Sequence, residues 1–210
     1  GLSTVYSQRF NVSQASSQFA FAIDAAGDVN GDGYDDLIVG AYNYDNGQTN
    51  EGAAFLFYGT ASGLNTTPAW TYENNQASST LGYAVTGNCD VNGDGYKDVL
   101  VGANQFDNGQ TNEGRVYAFY GSSTGLAATA NWTAESNLAS AQFGKAIHCN
   151  GDYDNDGYSD VLIGAPSFKT TYNNEGKAYL YKGSAAGILA TPTWTFVANQ
   201  LTAYGGSALS

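Results

Sequence analysis

The sequence predicts an all-β chain built from three four-stranded antiparallel blades of a β-propeller. Three observations carry this expectation. The first is a composite stretch that recurs without change of length: DVNGDGYDDLIVG at 28–40, DVNGDGYKDVLVG at 90–102 and DYDNDGYSDVLIG at 152–164, with starts 62 residues apart. The second is that flanking landmarks keep the same spacing. Gly1-Leu2, Gly63-Leu64, Gly125-Leu126 and Gly187-Ile188 align, as do Trp70, Trp132 and Trp194. The third is that apolar runs within each period are short, are punctuated by Gly, Asn and Asp, and show no helical period. Four strands in about 60 residues, repeated in tandem, are the sequence pattern of a propeller blade. A β-sandwich would account for the strands but not for the regular recurrence.

The elements follow in order. Residues 1–18 are expected to bring in a leading outer strand, with TVYSQRF (4–10) aligned on the Trp-bearing fourth strand and Gln8 in the Trp slot. Blade 1 spans 19–80. Its residues 19–26 alternate, and 36–42 form the continuous apolar run of a strand buried on both faces. An Asn46-Gly47 turn signal precedes the strands at 53–58 and 69–72. Blades 2 (81–142) and 3 (143–203) repeat the plan, and YGGSAL at 204–209, within the segment 204–210, opens a further blade. Three blades with a spare strand at each end make an arc, a partial or oligomer-completed propeller. Such an arc leaves unpaired edges and apolar faces. Three readings stay open: a piece of a longer propeller, a ring completed by a second copy, or a head-to-tail filament. In none of them is the isolated chain expected to be a stable monomer.

Composition narrows the function. The 210 residues are 42% apolar, so a core can form, and only 12% are charged. The net charge is −12 with 7 Lys and Arg in all, which argues against binding a phosphate backbone. Eleven of the 19 acidic residues lie inside the three recurring stretches, so the acidity is local. No apolar run approaches the roughly 20 residues of a membrane span. A chain that opens on Gly1 and has no Met reads as a mature or trimmed product, and its Lys-poor, calcium-suited chemistry favours an extracellular setting. Cys89 and Cys149 permit one disulfide or remain a buried free pair.

The acidic stretches suit a hard cation. Oxygen donors fall at positions 1, 3 and 5 of the first loop (Asp28, Asn30, Asp32). Gly33 permits a sharp turn, Tyr34 offers its carbonyl, and Asp36 closes the loop. The second loop supplies Asp90, Asn92, Asp94, the Tyr96 carbonyl and Asp98. The third supplies Asp152, Asp154, Asp156, the Tyr158 carbonyl and Asp160. Alternating oxygens converging at roughly 2.3–2.6 Å suit Ca²⁺, whereas Mg²⁺ demands stricter geometry. Zinc would want His and Cys ligands that the loops lack. An EF-hand needs a Glu at position 12 and flanking helices. Here position 12 is Val39 in a strand-like run, so the loop belongs to a β-hairpin. Three Ca²⁺ sites are expected, each tying the first strand of a blade to the second.

Phe143-Gly144, the acidic loop and Gly164-Ala165-Pro166 together resemble the FG-GAP repeat of integrin α-subunit propellers and of many secreted bacterial proteins. Phe19-Ala20 and Leu81-Gly82 stand in for FG, and Gly40-Ala41-Tyr42 and Gly102-Ala103-Asn104 for GAP. The resemblance implies calcium loops on one face of the disc, ligands on the opposite face, and a full ring of more than three blades. That opposite face would present 42–52, 104–114 and 167–176, with 73–80 and 135–142 beside them. Its aromatics Tyr44, Phe106, Phe168 and Tyr172 either stack on sugars or contact a protein, or else pack the hairpins.

For catalysis the sequence offers little. The one histidine, His148, adjoins Cys149, and no nucleophile elbow, P-loop or zinc-hydrolase motif occurs. The expectation is a non-catalytic module that binds a protein or glycan ligand, or else a structural subunit of an extracellular assembly. No RGD triplet occurs, and Asn11, Asn65 and Asn131 head N-x-[ST] triplets.

Overall fold

The computed structural model describes residues 9, 10, 12 and 14–209. Among the described residues, twelve strands are arranged as three four-stranded antiparallel sheets, and there is no helix. The first sheet holds β1 (Phe19–Gly27), β2 (Asp36–Ala41), β3 (Ala53–Phe57) and β4 (Trp70–Tyr72), in that order. The second holds β5 (Leu81–Cys89), β6 (Asp98–Ala103), β7 (Arg115–Phe119) and β8 (Trp132–Glu135). The third holds β9 (Ala146–Gly151), β10 (Asp160–Ala165), β11 (Lys177–Tyr181) and β12 (Trp194–Val197). Consecutive strands pair throughout, so each sheet is a meander and each blade a local unit. The three blades do not close into a ring, which is a partial propeller.

The blades pack face to face. The second strands are apolar on both sides: β6 lies between two blades, β2 has blade 2 on one side and Phe10, Val12 and Phe19 on the other, and β10 has blade 2 on one side only. Val99, Val101, Tyr117 and Phe119 of blade 2 are buried with Ile38, Ala54 and Leu56 of blade 1. Cys89, Val91, Leu100 and Val116 are buried with Phe143, Val161, Tyr179 and Tyr181 of blade 3. The first strands β1, β5 and β9 run alongside one another. The Trp of the fourth strand reaches the following blade in blades 1 and 2: Trp70 Nε1 donates to the Ala127 carbonyl at 2.9 Å, and Trp132 Nε1 to that of Leu189 at 3.2 Å.

The Gly of each GAP-like triplet has a steric cause. A Cβ on Gly40 would come within 2.0 Å of the Gly82 carbonyl oxygen, and one on Gly102 within 2.2 Å of that of Gly144. The residue approached is itself left-handed, with φ of 81° at Gly82 and 83° at Gly144. Blade 1 places Ala20 in that conformation (φ 64°), where a Cβ carries a strain of roughly 1 kcal/mol. In blade 3 the Phe143-Gly144 pair sits in the turn before β9 rather than in the strand, so β9 is shorter than β1 and β5.

The two ends of the arc differ. Most of the expected leading strand at 4–10 lies outside the described residues, as does Asn11. Phe10 is described, and it packs edge-on to Phe57 at 5.0 Å. At the other end the tail takes the place of a fourth blade's opening. Gly205 bridges Gly176 as Leu81 bridges Gly52, and Gly206 approaches Gly164 as Gly82 approaches Gly40.

Candidate metal centres

The three acidic loops lie between the first and second strands of their blades, at 28–35, 90–97 and 152–159. Each first aspartate gathers backbone amides. Asp28 accepts from Gly31 N at 2.7 Å, Asp32 N at 3.1 Å and Gly33 N at 2.8 Å. Asp90 does the same with Gly93, Asp94 and Gly95 at 2.7, 3.2 and 3.0 Å. Asp152 accepts from Asp156 N at 3.1 Å and Gly157 N at 2.9 Å. The fifth-position aspartates Asp32, Asp94 and Asp156 each take the amide of the following tyrosine. Asn30 and Asn92 accept the amides of Asp32 and Asp94 through Oδ1. Backbone donors thus curl each loop around its own carboxylates before any cation is considered.

The closing aspartates are different, because they are buried. Asp36 accepts from Val29 N at 3.0 Å and Gly59 N at 2.8 Å. Asp98 is bound in the same way by Val91 and Gly121, and Asp160 by Tyr153 and Gly183. Each therefore ties its loop to the turn after the third strand. Burial pushes the Asp36 carboxyl up to about 6 and that of Asp98 up to about 7, against the lowering effect of the two amides. Burial also raises Asp160.

Among the described residues, one trio of carboxylates gathers closely enough to hold a hard divalent cation. In the third loop Asp152, Asp154 and Asp156 can each bring one oxygen within 4.8 Å of the others. That span is about twice a Ca²⁺–oxygen bond, so one ion could touch all three. This loop carries Asp154 where the others carry Asn, and Lys182 pairs with Asp154 and holds its carboxyl below the usual range. The tyrosines add a contact that spacing did not reveal. A Cβ on Gly31 would touch the Tyr96 ring, and one on Gly93 the Tyr158 ring. Lys97 N donates to the Asp28 carbonyl at 3.1 Å, and Ser159 N to that of Asp90 at 2.9 Å. The three loops are therefore chained from blade to blade.

On the opposite face, the expected ligand-facing side chains are largely committed inward. Tyr44 packs on Phe55, Phe106 on Tyr117 and Phe168 on Tyr179, while Tyr172 is exposed. The amides form clasps: Gln76 Nε2 donates to the Asp107 carbonyl at 2.8 Å, and Asp107 N donates back to Gln76 Oε1 at 2.7 Å. Gln14 and Asp45 repeat the arrangement. Glu51, Glu113 and Glu175, absent from the sites expected from the sequence, are fully buried. Each accepts the amide five residues earlier, from Asn46, Asn108 and Thr170. The signal was present as Asn-Glu-Gly at the 62-residue spacing. Cys89 and Cys149 are disulfide-bonded, joining β5 to β9. His148 is a half-buried residue of β9.

The order of strands, loops and close-approach glycines agrees with the sequence comparisons. The chain is 38% identical to integrin alpha-4 of Xenopus laevis over 107 residues, half of this chain and 10% of that protein. It is 35% identical to the phosphatidylinositol-glycan-specific phospholipase D of Bos taurus over 149 residues, 65% of this chain and 17% of that one. With integrin alpha-V of Gallus gallus the identity is 29% over 207 residues, 91% of this chain and 19% of the relative. The chain thus spans a tenth to a fifth of the length of these relatives. The profile of the FG-GAP repeat matches residues 20–57, 82–119 and 149–181, more than half of the sequence, and the chain belongs to the FG-GAP repeat family.

Proposed function

We propose that this chain is a calcium-stabilised extracellular propeller module for adhesion or ligand binding, and that it is not an enzyme. The observation that carries the calcium reading is the trio Asp152, Asp154 and Asp156, whose oxygens come within 4.8 Å of one another in a loop with two in-register counterparts. Each loop takes one Ca²⁺: Asp28, Asn30, Asp32, the Tyr34 carbonyl and Asp36; Asp90, Asn92, Asp94, the Tyr96 carbonyl and Asp98; Asp152, Asp154, Asp156, the Tyr158 carbonyl and Asp160. The ion offsets the mutual repulsion of these carboxylates. Its role is structural, since the loops are chained to one another and the closing aspartates are tied to backbone. The adhesive reading is supported by likeness to integrin alpha chains, and a protein or glycan is the ligand class it implies. No helix among the described residues is long and apolar enough to cross a membrane. Thermal melting in EDTA, then after adding back Ca²⁺ or Mg²⁺, tests the metal role. The expected result is a lower Tm in EDTA that Ca²⁺ restores better than Mg²⁺; an unchanged Tm would remove the calcium reading.

A second reading, a building block of an extracellular assembly, is favoured by the open face of blade 3. Trp194 is 52% exposed, whereas its equivalents Trp70 and Trp132 are 9% exposed and donate to the next blade. Tyr153, Leu162, Leu180 and Trp194 line an apolar depression there. A further blade, of this chain's own protein or of a second copy, fits that face.

A further inference from the structure

The three repeats are not equal in the cleft between neighbouring blades. Ala54 pairs with Tyr72, Val116 with Ala134 and Ala178 with Phe196, so residues 72, 134 and 196 occupy one register position. Between blades 1 and 2 the Tyr72 ring fills the cleft, with ring centroids 5.4 Å from Tyr117 and 4.6 Å from Phe119. Between blades 2 and 3 the corresponding rings are Tyr179 and Tyr181, but the filling residue is Ala134. The ring is missing, and a pocket of about 360 Å³ stands in its place. Its volume is within the range of small-ligand pockets, roughly 300–1,000 Å³.

Arg115 does not collapse into the space. Its Nε and Nη2 donate to Glu135 Oε2 at 2.9 and 2.6 Å, and the guanidinium lies over the Phe106 ring at 4.2 Å. Glu135 is held in turn by Asn108 Nδ2 at 2.8 Å. The pocket therefore has an aromatic floor of Tyr179 and Tyr181 and a polar rim in which Arg115 and Glu135 are held in place, with Asn137 beside them. A cleft with an aromatic floor and a few polar groups at its rim has the make-up of a small-ligand site. Edge-to-face or offset contacts with two rings favour an aromatic guest.

We propose that the cleft between blades 2 and 3 binds one aromatic ring of tyrosine size, carried by a partner polypeptide. The ring takes the place that Tyr72 occupies one blade earlier, and the polar rim meets its hydroxyl or its flanking backbone. The proposal rests on the ligand-binding reading, which it deepens by naming a site, and it is independent of the calcium loops.

The test is saturation-transfer NMR on the whole chain in calcium-containing buffer, with p-cresol as the ring probe and methyl β-D-glucopyranoside as the counter-probe. We expect transfer to p-cresol, little to the glucoside, and a loss of about tenfold or more in p-cresol affinity in Ala134→Tyr. That variant restores the residue blade 1 uses, so the fold should tolerate it. Ala134→Leu, a smaller filler, gives the same reading if the tyrosine variant misfolds. Absence of transfer to p-cresol, equal transfer in the filled variants, or preference for the glucoside overturns the proposal. A polypeptide ligand found by other means that binds Ala134→Tyr unchanged would overturn this pocket and leave the ligand-binding reading intact.

Discussion

Glu51 carries a carboxylate into full burial, with one oxygen on the Asn46 amide at 2.6 Å and the other, Oε2, without a partner. Burial raises its pKa, and the nearby Glu73 and Asp45 push it the same way against the amides of Asn46 and Gln48. A carboxyl whose folded pKa exceeds its unfolded value favours folding while protonated. That contribution is complete below the unfolded value and is lost as pH rises through the folded one. Glu51→Gln keeps the acceptor for Asn46 and removes the charge. We predict that its Tm gains on the parent as pH rises from about 4.5 toward neutrality, at fixed calcium; parallel melting curves across that range would contradict this. The crowding of aspartates in each loop was legible in the sequence because it lies within nine residues. Glu51 was not, because a buried carboxylate and a solvated one read alike until the third strand folds over it. Tyr96 and Tyr158 were half legible: their position in the loop is local, but the glycine each ring covers belongs to another blade.

Strands and their order were legible because each blade is a meander whose contacts are close in sequence. Residues 36–42, read as a doubly buried strand, form β2 at Asp36–Ala41, with a blade packed on one side of it and Phe10, Val12 and Phe19 among the residues on the other. The cysteine pairing was not legible. Cys149 aligns with Gly87 rather than with Cys89, and only the side-by-side run of β5 and β9 brings the two sulfurs together. This bond ties two blades at their first strands across a separation of 60 residues. In the chain-entropy account a loop of that length stabilises by about 4 kcal/mol. The Cys89→Ser/Cys149→Ser pair is predicted to lower unfolding free energy by up to this amount in urea, with secondary structure retained. An unchanged midpoint would mean that blade packing alone holds the two strands.

At the scale of the whole molecule the repeat predicted blades, but it could not say what covers the last one. The answer depends on surface: blade 1 has Phe10 and Phe19 packed against its outer side, while blade 3 leaves Trp194 and Phe196 about half exposed. The 210-residue polypeptide is therefore expected to self-associate at micromolar concentration through that face, and Trp194→Glu should reduce the association. A monomeric mass by light scattering for the parent would count against it. The proposed calcium staples give each of the three chained loops one structural ion. Native mass spectrometry of the calcium-loaded chain measures this most directly. Three Ca²⁺ per chain are expected, falling to two in Asp94→Ala; a calcium-free mass, or a count that Asp94→Ala leaves unchanged, would rule the staples out.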